Sequence, residues 1–182
     1  MIPRISREQC ALLIIDVQER YIPALHDAKP LVDNISILAQ AAELLDIPAV
    51  VTEQYPQGIG PTIGEIQEVA DFAKTIEKAT FSCFGSEEFC SHMEELGKSQ
   101  LLITGSETHV CVKKTAFDAL ERGYDVFVIE DAVASRSQER KDIAIRGLMQ
   151  AGAQVESAES AIFEFIGRSD GTEFKLLHRL IK

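Results

Sequence analysis

The sequence contains no GxxxxGK[ST], GxGxxG or HExxH. A phosphate-cradling P-loop, a dinucleotide-binding turn and a zinc-protease helix are thereby removed. Cysteine is sparse: Cys10, Cys83, Cys90 and Cys111, with no CxxC pair and no His pair to complete a zinc site. A reducing cytoplasm, with free thiols, is therefore the expected compartment. The opening segment MIPRISREQC has no apolar stretch, so no signal peptide is expected. The longest apolar run, Ala11 to Ile15, is far too short to span a bilayer. Positive charge is also in deficit, with 18 Lys and Arg against 29 Asp and Glu and a net charge of −11. Such a surface repels nucleic-acid phosphates and anionic membranes, so neither is expected as a partner.

What is present is the composition of an ordinary globular protein, with 46% hydrophobic and 26% charged residues. Its 182 residues suit one domain, 1–182, with a full core. Strand-like and helix-like segments alternate. CALLIIDV (10–17) is a short apolar run ending in acid, as a buried parallel strand reads. Leu31, Ile35, Leu38, Ala42 and Leu45 recur at helical spacing after Pro30. Strands are expected at 47–53, within 75–84, and at 99–105, 124–131 and 153–158. Between them, 55–64 reads as a rigid loop with two Pro and three Gly, and 65–72 as a short helix. Helices are expected at 86–96, with Ser86 as N-cap and Gly97 as stop, at 108–122, at 138–150, and in two stretches at the end. Six strands alternating with helices imply a three-layer α/β/α domain around a mostly parallel sheet. In such folds ligands bind beyond the carboxyl ends of the strands, near a switch in strand order.

That rule directs attention to three residues. Asp16 ends the first strand, where it either caps a helix or acts as a base. Cys111 follows the fourth strand in GSETHVCVKK, either as a small buried hydrophobe or as a nucleophile near a helix N-terminus. A helix N-terminus favours the thiolate, so a thiol ionising below its usual value of roughly 8.5 is expected. Lys78, in IEKATF, either snorkels to solvent or meets an acid. His109 lies two residues from Cys111, a spacing that does not face it on a helix, so a lining or structural role is expected.

Taken together, ALLIIDVQ (11–18), VVTEQYPQGIGPTIGE (50–65), IEKATFSCF (76–84) and LLITGSETHVCVKKTAFDALERGYDVFVIEDAVASRS (101–137) resemble the isochorismatase-like hydrolases. The branch resembled is that of the isochorismatase-domain-containing proteins, with TEQYP and ETHVC motifs. The resemblance implies a Rossmann-like sheet of order 3-2-1-4-5-6. It implies Cys111 as nucleophile, Asp16 as base and later acid, and Lys78 as the residue that orients them. The backbone amides of Glu107 and Cys111 would form an oxyanion hole, with a cis peptide between Ser106 and Glu107. Nicotinamidases of this superfamily carry an Asp-x-His metal motif where this chain reads Thr52-Glu53-Gln54-Tyr55, so no metal and no cofactor are expected. The cysteine favours attack on an amide-type carbon of a small molecule. Gln18, Glu53, Gln54, Phe84 and His109 are the expected substrate-lining residues. A homo-oligomer is implied. Two other readings stay open: a binding or scaffolding protein with a vestigial triad, and a redox protein pairing Cys83 with Cys111.

Overall fold

The computed structural model describes residues 3–181. Six strands, β1 (Cys10–Ile15), β2 (Ala49–Gln54), β3 (Lys74–Lys78), β4 (Gln100–Ser106), β5 (Asp125–Ala134) and β6 (Gln154–Glu156), form one sheet in the order β3-β2-β1-β4-β5-β6. Every neighbouring pair is parallel. Both faces are covered, which is why the central strands read as unbroken apolar runs rather than alternating ones. In β1 the alternation is nevertheless visible in space. Cys10, Leu12 and Ile14 pack on one side, with Leu31, Ile35 and Leu38. Ala11, Leu13 and Ile15 pack on the other, with Phe89, Met93 and Ala116. Burying each Leu or Ile side chain contributes about 1.5–3 kcal/mol.

On the first face lie α1 (Ala28–Leu44), α3 (Gly64–Val69), α7 (Ala158–Ile166) and α8 (Thr172–Leu180). On the second lie α4 (Glu87–Leu96), α5 (Lys113–Glu121) and α6 (Gln138–Ala151). Pro30 falls inside the first turn of α1 rather than before it, where its missing N–H costs no helix bond. Ser86 accepts a hydrogen bond from the Phe89 N–H, and Gly97 ends α4 in the left-handed region, as the sequence suggested.

Three local expectations are corrected. The 55–64 segment is not all loop, because Pro56–Ile59 closes one helical turn, α2. The expected helix over 108–122 opens as a π-helical turn, Thr108–Val112, before continuing as α5. Such wide turns are frequent at functional sites. No cis peptide occurs among the described residues. The chain reverses after Ser106 through a left-handed Glu107 instead, at φ 58°.

Candidate active site

The strand order reverses between β1 and β4, and the carboxyl ends of those two strands meet there. Gly105 makes the approach possible. At φ 119°, a Cβ on it would sit 2.1 Å from the Ile15 carbonyl oxygen. With no Cβ, the next residue reaches its neighbour, and Ser106 Oγ donates to the Asp16 carbonyl at 2.6 Å. Asp16 itself adopts the left-handed region at φ 52°, an uncommon conformation for a non-glycine residue. The turn leaves its carboxylate on the face of the sheet that carries Cys111.

That carboxylate is fully partnered. Thr52 Oγ1 donates to Oδ1 at 2.8 Å, and Lys78 Nζ donates to Oδ2 at 2.7 Å. Both charged side chains are essentially without solvent exposure, at 0% for Asp16 and 1% for Lys78. Removing two ions from water is costly unless the remaining polar atoms are satisfied. Here they are, because the Lys78 ammonium also donates to Gln54 Oε1 at 2.7 Å and to the Thr80 carbonyl at 3.3 Å. The reach of Lys78 follows from register. Lys78 pairs with Gln54 at the end of the edge strand, so its side chain crosses β2 towards β1.

Cys111 is the fourth residue of the π-helical turn and is buried, at 2% exposure. Its thiol lies close enough to Asp16 to feel that carboxylate's charge. The expectation of a low thiol pKa is overturned. Burial pushes the Cys111 thiol well up, and the negative charge of Asp16 adds to that, with Lys78 opposing. The helix-end effect is outweighed because this side chain leaves water almost entirely. The thiol therefore rests protonated, beside the Asp16 carboxylate. Cys83 is fully buried on the same face, held by Thr115 and Thr52, and burial lifts its thiol to about 11.

The structure disperses the other lining candidates. Gln18 staples the loop after β2: its amide donates to the Gln54 and Gly60 carbonyls and accepts from the Gln54 N–H. Glu53 points to the opposite face, since side chains alternate along β2, and it accepts from both the N–H and hydroxyl of Thr62. Gln54 touches the ion pair directly. Phe84 packs edge-on against Phe89, at 5.1 Å between ring centres, under the Arg122 guanidinium. His109 is half-buried, with Nδ1 3.0 Å from Ser135 Oγ and Nε2 3.8 Å from Glu107 Oε2. Glu107 is buried and also pairs with Arg136 at 3.1 Å.

Sequence reasoning missed several residues. Thr52 and Ser106 fasten Asp16 from either side. Tyr21 stands near the site: its phenol is pushed up by burial first, and further by its nearness to Cys111, Asp16 and Glu107. Arg136 follows the fifth strand. All four lie within a few residues of a strand end, which is the one signal that could have marked them. A cavity of about 160 Å³, lined by His26, Ser135, Ser137 and Lys141 among others, does not have Cys111 in its walls. Among the described residues, no three His, Cys, Asp or Glu side chains are grouped as a metal ion would require, and no helix is long and apolar enough to cross a membrane.

The comparisons with known proteins agree with this architecture. The chain is 34% identical to isochorismatase domain-containing protein 2 of Danio rerio, covering 99% of this chain and 90% of that one. It is 35% identical to a secreted isochorismatase effector of Phytophthora sojae, covering 98% and 87%. Among solved structures it superposes on a ribonuclease, MAR1, of Caenorhabditis elegans, with TM-score 0.92, 34% identity and coverage of 98% and 92%. YcaC of Pseudomonas aeruginosa, a structure holding covalent acrylamide, matches with TM-score 0.91, 28% identity and coverage of 97% and 91%. The Escherichia coli YcaC product, an octameric hydrolase of unknown specificity, matches with TM-score 0.90, 27% identity and coverage of 97% and 90%. A family model, the Isochorismatase domain, matches residues 10–160, and the chain belongs to the isochorismatase family.

Proposed function

We propose that this chain is a metal-independent cysteine hydrolase that cleaves the C–N bond of a small amide. The observation that carries the reading is the buried Asp16–Lys78 pair, 2.7 Å apart, with the buried Cys111 on the same face of the sheet. A burial this complete is costly for structure alone, and a base placed against a thiol is the arrangement nucleophilic catalysis requires.

Because the thiol rests protonated, proton transfer accompanies attack. Asp16 takes the Cys111 proton as the sulfur bonds to the carbonyl carbon. Lys78 holds Asp16 in place and balances its charge. The oxyanion lies against the N–H groups of Glu107 and Cys111, where the opening amides of a helix lack internal partners. Asp16 then gives its proton to the amide nitrogen, the amine leaves, and Cys111 carries a thioester. Water gives a proton to Asp16 and attacks the thioester carbon, the C–S bond breaks as Asp16 returns that proton to sulfur, and the acid leaves with the thiol restored. A trans peptide before Glu107, with its left-handed turn, presents that N–H in this scheme. A homo-oligomer fits the octameric state named for the E. coli structure. A cytoplasmic location remains part of the proposal, beside a secreted relative.

The name ribonuclease borne by the C. elegans structure suggests RNA cleavage as a second reading. A net charge of −11 disfavours it, since RNA binding is driven largely by neutralising phosphates. The deciding experiment incubates the protein with a panel of small primary amides, with ammonia release and the intact mass of the protein followed together. Ammonia release with a transient acyl mass on Cys111, both lost in Cys111→Ser, is the expected result. Amide turnover that survives Cys111→Ser, or RNA cleavage in place of any amide turnover, would overturn it.

A further inference from the structure

Glu107 carries a feature that the proposed cycle does not use. Its side chain is only 6% exposed. One carboxylate oxygen, Oε2, is held by Arg136 at 3.1 Å and faces His109 at 3.8 Å. The other, Oε1, is buried and has no hydrogen-bond partner among the described residues. Buried carboxylate oxygens ordinarily have donors, as both of Asp16's do here. An unpaired one is costly, and the backbone that presents it is itself in the left-handed region.

Glu107 belongs to the site: it directly follows Ser106, whose hydroxyl holds the Asp16 carbonyl, and it caps the turn that carries Cys111. Arg136, half-exposed, covers the other carboxylate oxygen from the solvent side. Glu107 therefore brings a backbone N–H and a free carboxylate oxygen to one place, four residues before the nucleophile. An amide group displays the complementary pair, a carbonyl oxygen that accepts and an N–H that donates.

We propose that Glu107 is a specificity-determining residue whose free carboxylate oxygen accepts a hydrogen bond from the N–H of the substrate's own amide group. This rests on the cysteine-hydrolase reading and narrows its substrate class to amides bearing at least one N–H. Esters and tertiary amides offer no donor, and a carboxylate repels a departing alkoxide while it favours a departing amine.

The test needs no knowledge of the natural substrate. Acrylamide, N,N-dimethylacrylamide and methyl acrylate alkylate thiols by the same addition, and only the first carries N–H. The rate at Cys111 is measured for each by mass spectrometry and divided by its rate with glutathione. The wild type is expected to favour acrylamide over both others by at least about tenfold. In Glu107→Gln the amide oxygen stays on Arg136, so its NH2 takes the Oε1 position, a donor facing a donor. The preference should then fall to near one. Arg136→Gln leaves the free oxygen in place and should keep most of the preference, which separates acceptance from general loss of the ion pair. A wild type that shows no preference overturns this proposal while leaving the hydrolase reading standing. A preference unchanged in Glu107→Gln overturns it in the same way. Failure of Cys111 to react with any of the three overturns the hydrolase reading and this one with it.

Discussion

Replacing Lys78 by Met tests the buried ion pair where it is most exposed to refutation. Met occupies a similar length and packs in an apolar setting, so little cavity is made. What is lost is the ammonium that donates to Asp16 Oδ2 at 2.7 Å, Gln54 Oε1 at 2.7 Å and the Thr80 carbonyl at 3.3 Å. Asp16 is left as an uncompensated carboxylate with 0% exposure, supported by Thr52 alone. Breaking such a pair costs about 3–5 kcal/mol. For a chain of this size that lowers Tm by roughly 10 °C, at about 2–4 °C per kcal/mol. Asp16→Asn in the same chain removes the stranded charge while its side-chain oxygen still accepts from Thr52. The double variant should therefore recover at least about half of the loss. Urea unfolding of the wild type, both single variants and the double variant closes the cycle. A double variant destabilised by the simple sum of the two single losses would refute the reasoning, because the two side chains would then be acting independently.

Further outcomes follow from the same geometry. Gly105→Ala places a Cβ 2.1 Å from the Ile15 carbonyl oxygen and 2.5 Å from the Ile15 nitrogen, backbone atoms that cannot turn aside. Together with φ 119° this should cost at least about 3 kcal/mol in urea unfolding and slow Cys111 alkylation, since Ser106 and Asp16 are parted. Normal stability and normal labelling would contradict it. Stability should also fall in alkali. Burial raises Cys10 to about 12 and Cys83 to about 11, against an ordinary value near 9.0. Because the folded values are the higher ones, this stability is whole below about pH 9 and is lost as the pH rises through 11 to 12. Each thiol contributes a slope of about 1.4 kcal/mol per pH unit in that window. Chemical denaturation at pH 8.5 and above should show a shallower decline in Cys83→Ala, and an identical decline would count against the buried thiol as its source.

Much of this molecule was written in local pattern. The apolar runs of β1 and β4 named buried strands because both faces of a parallel sheet are covered. Ser86 and Gly97 marked both ends of α4, since capping and left-handed stops depend only on near neighbours. The rule that chemistry gathers at strand ends drew Asp16 and Cys111 from the sequence. Other features depended on distant partners. Lys78 could be read as a solvent-facing lysine until register set it opposite Gln54 and aimed it across β2. Glu53 looked like a substrate contact, yet alternation along β2 turns it away from Gln54 and onto Thr62. The thiol of Cys111 read as acidic from its place near a helix start. Only tertiary packing could reverse that, because withdrawal from water beside a carboxylate is a property of the assembled site and of no single segment.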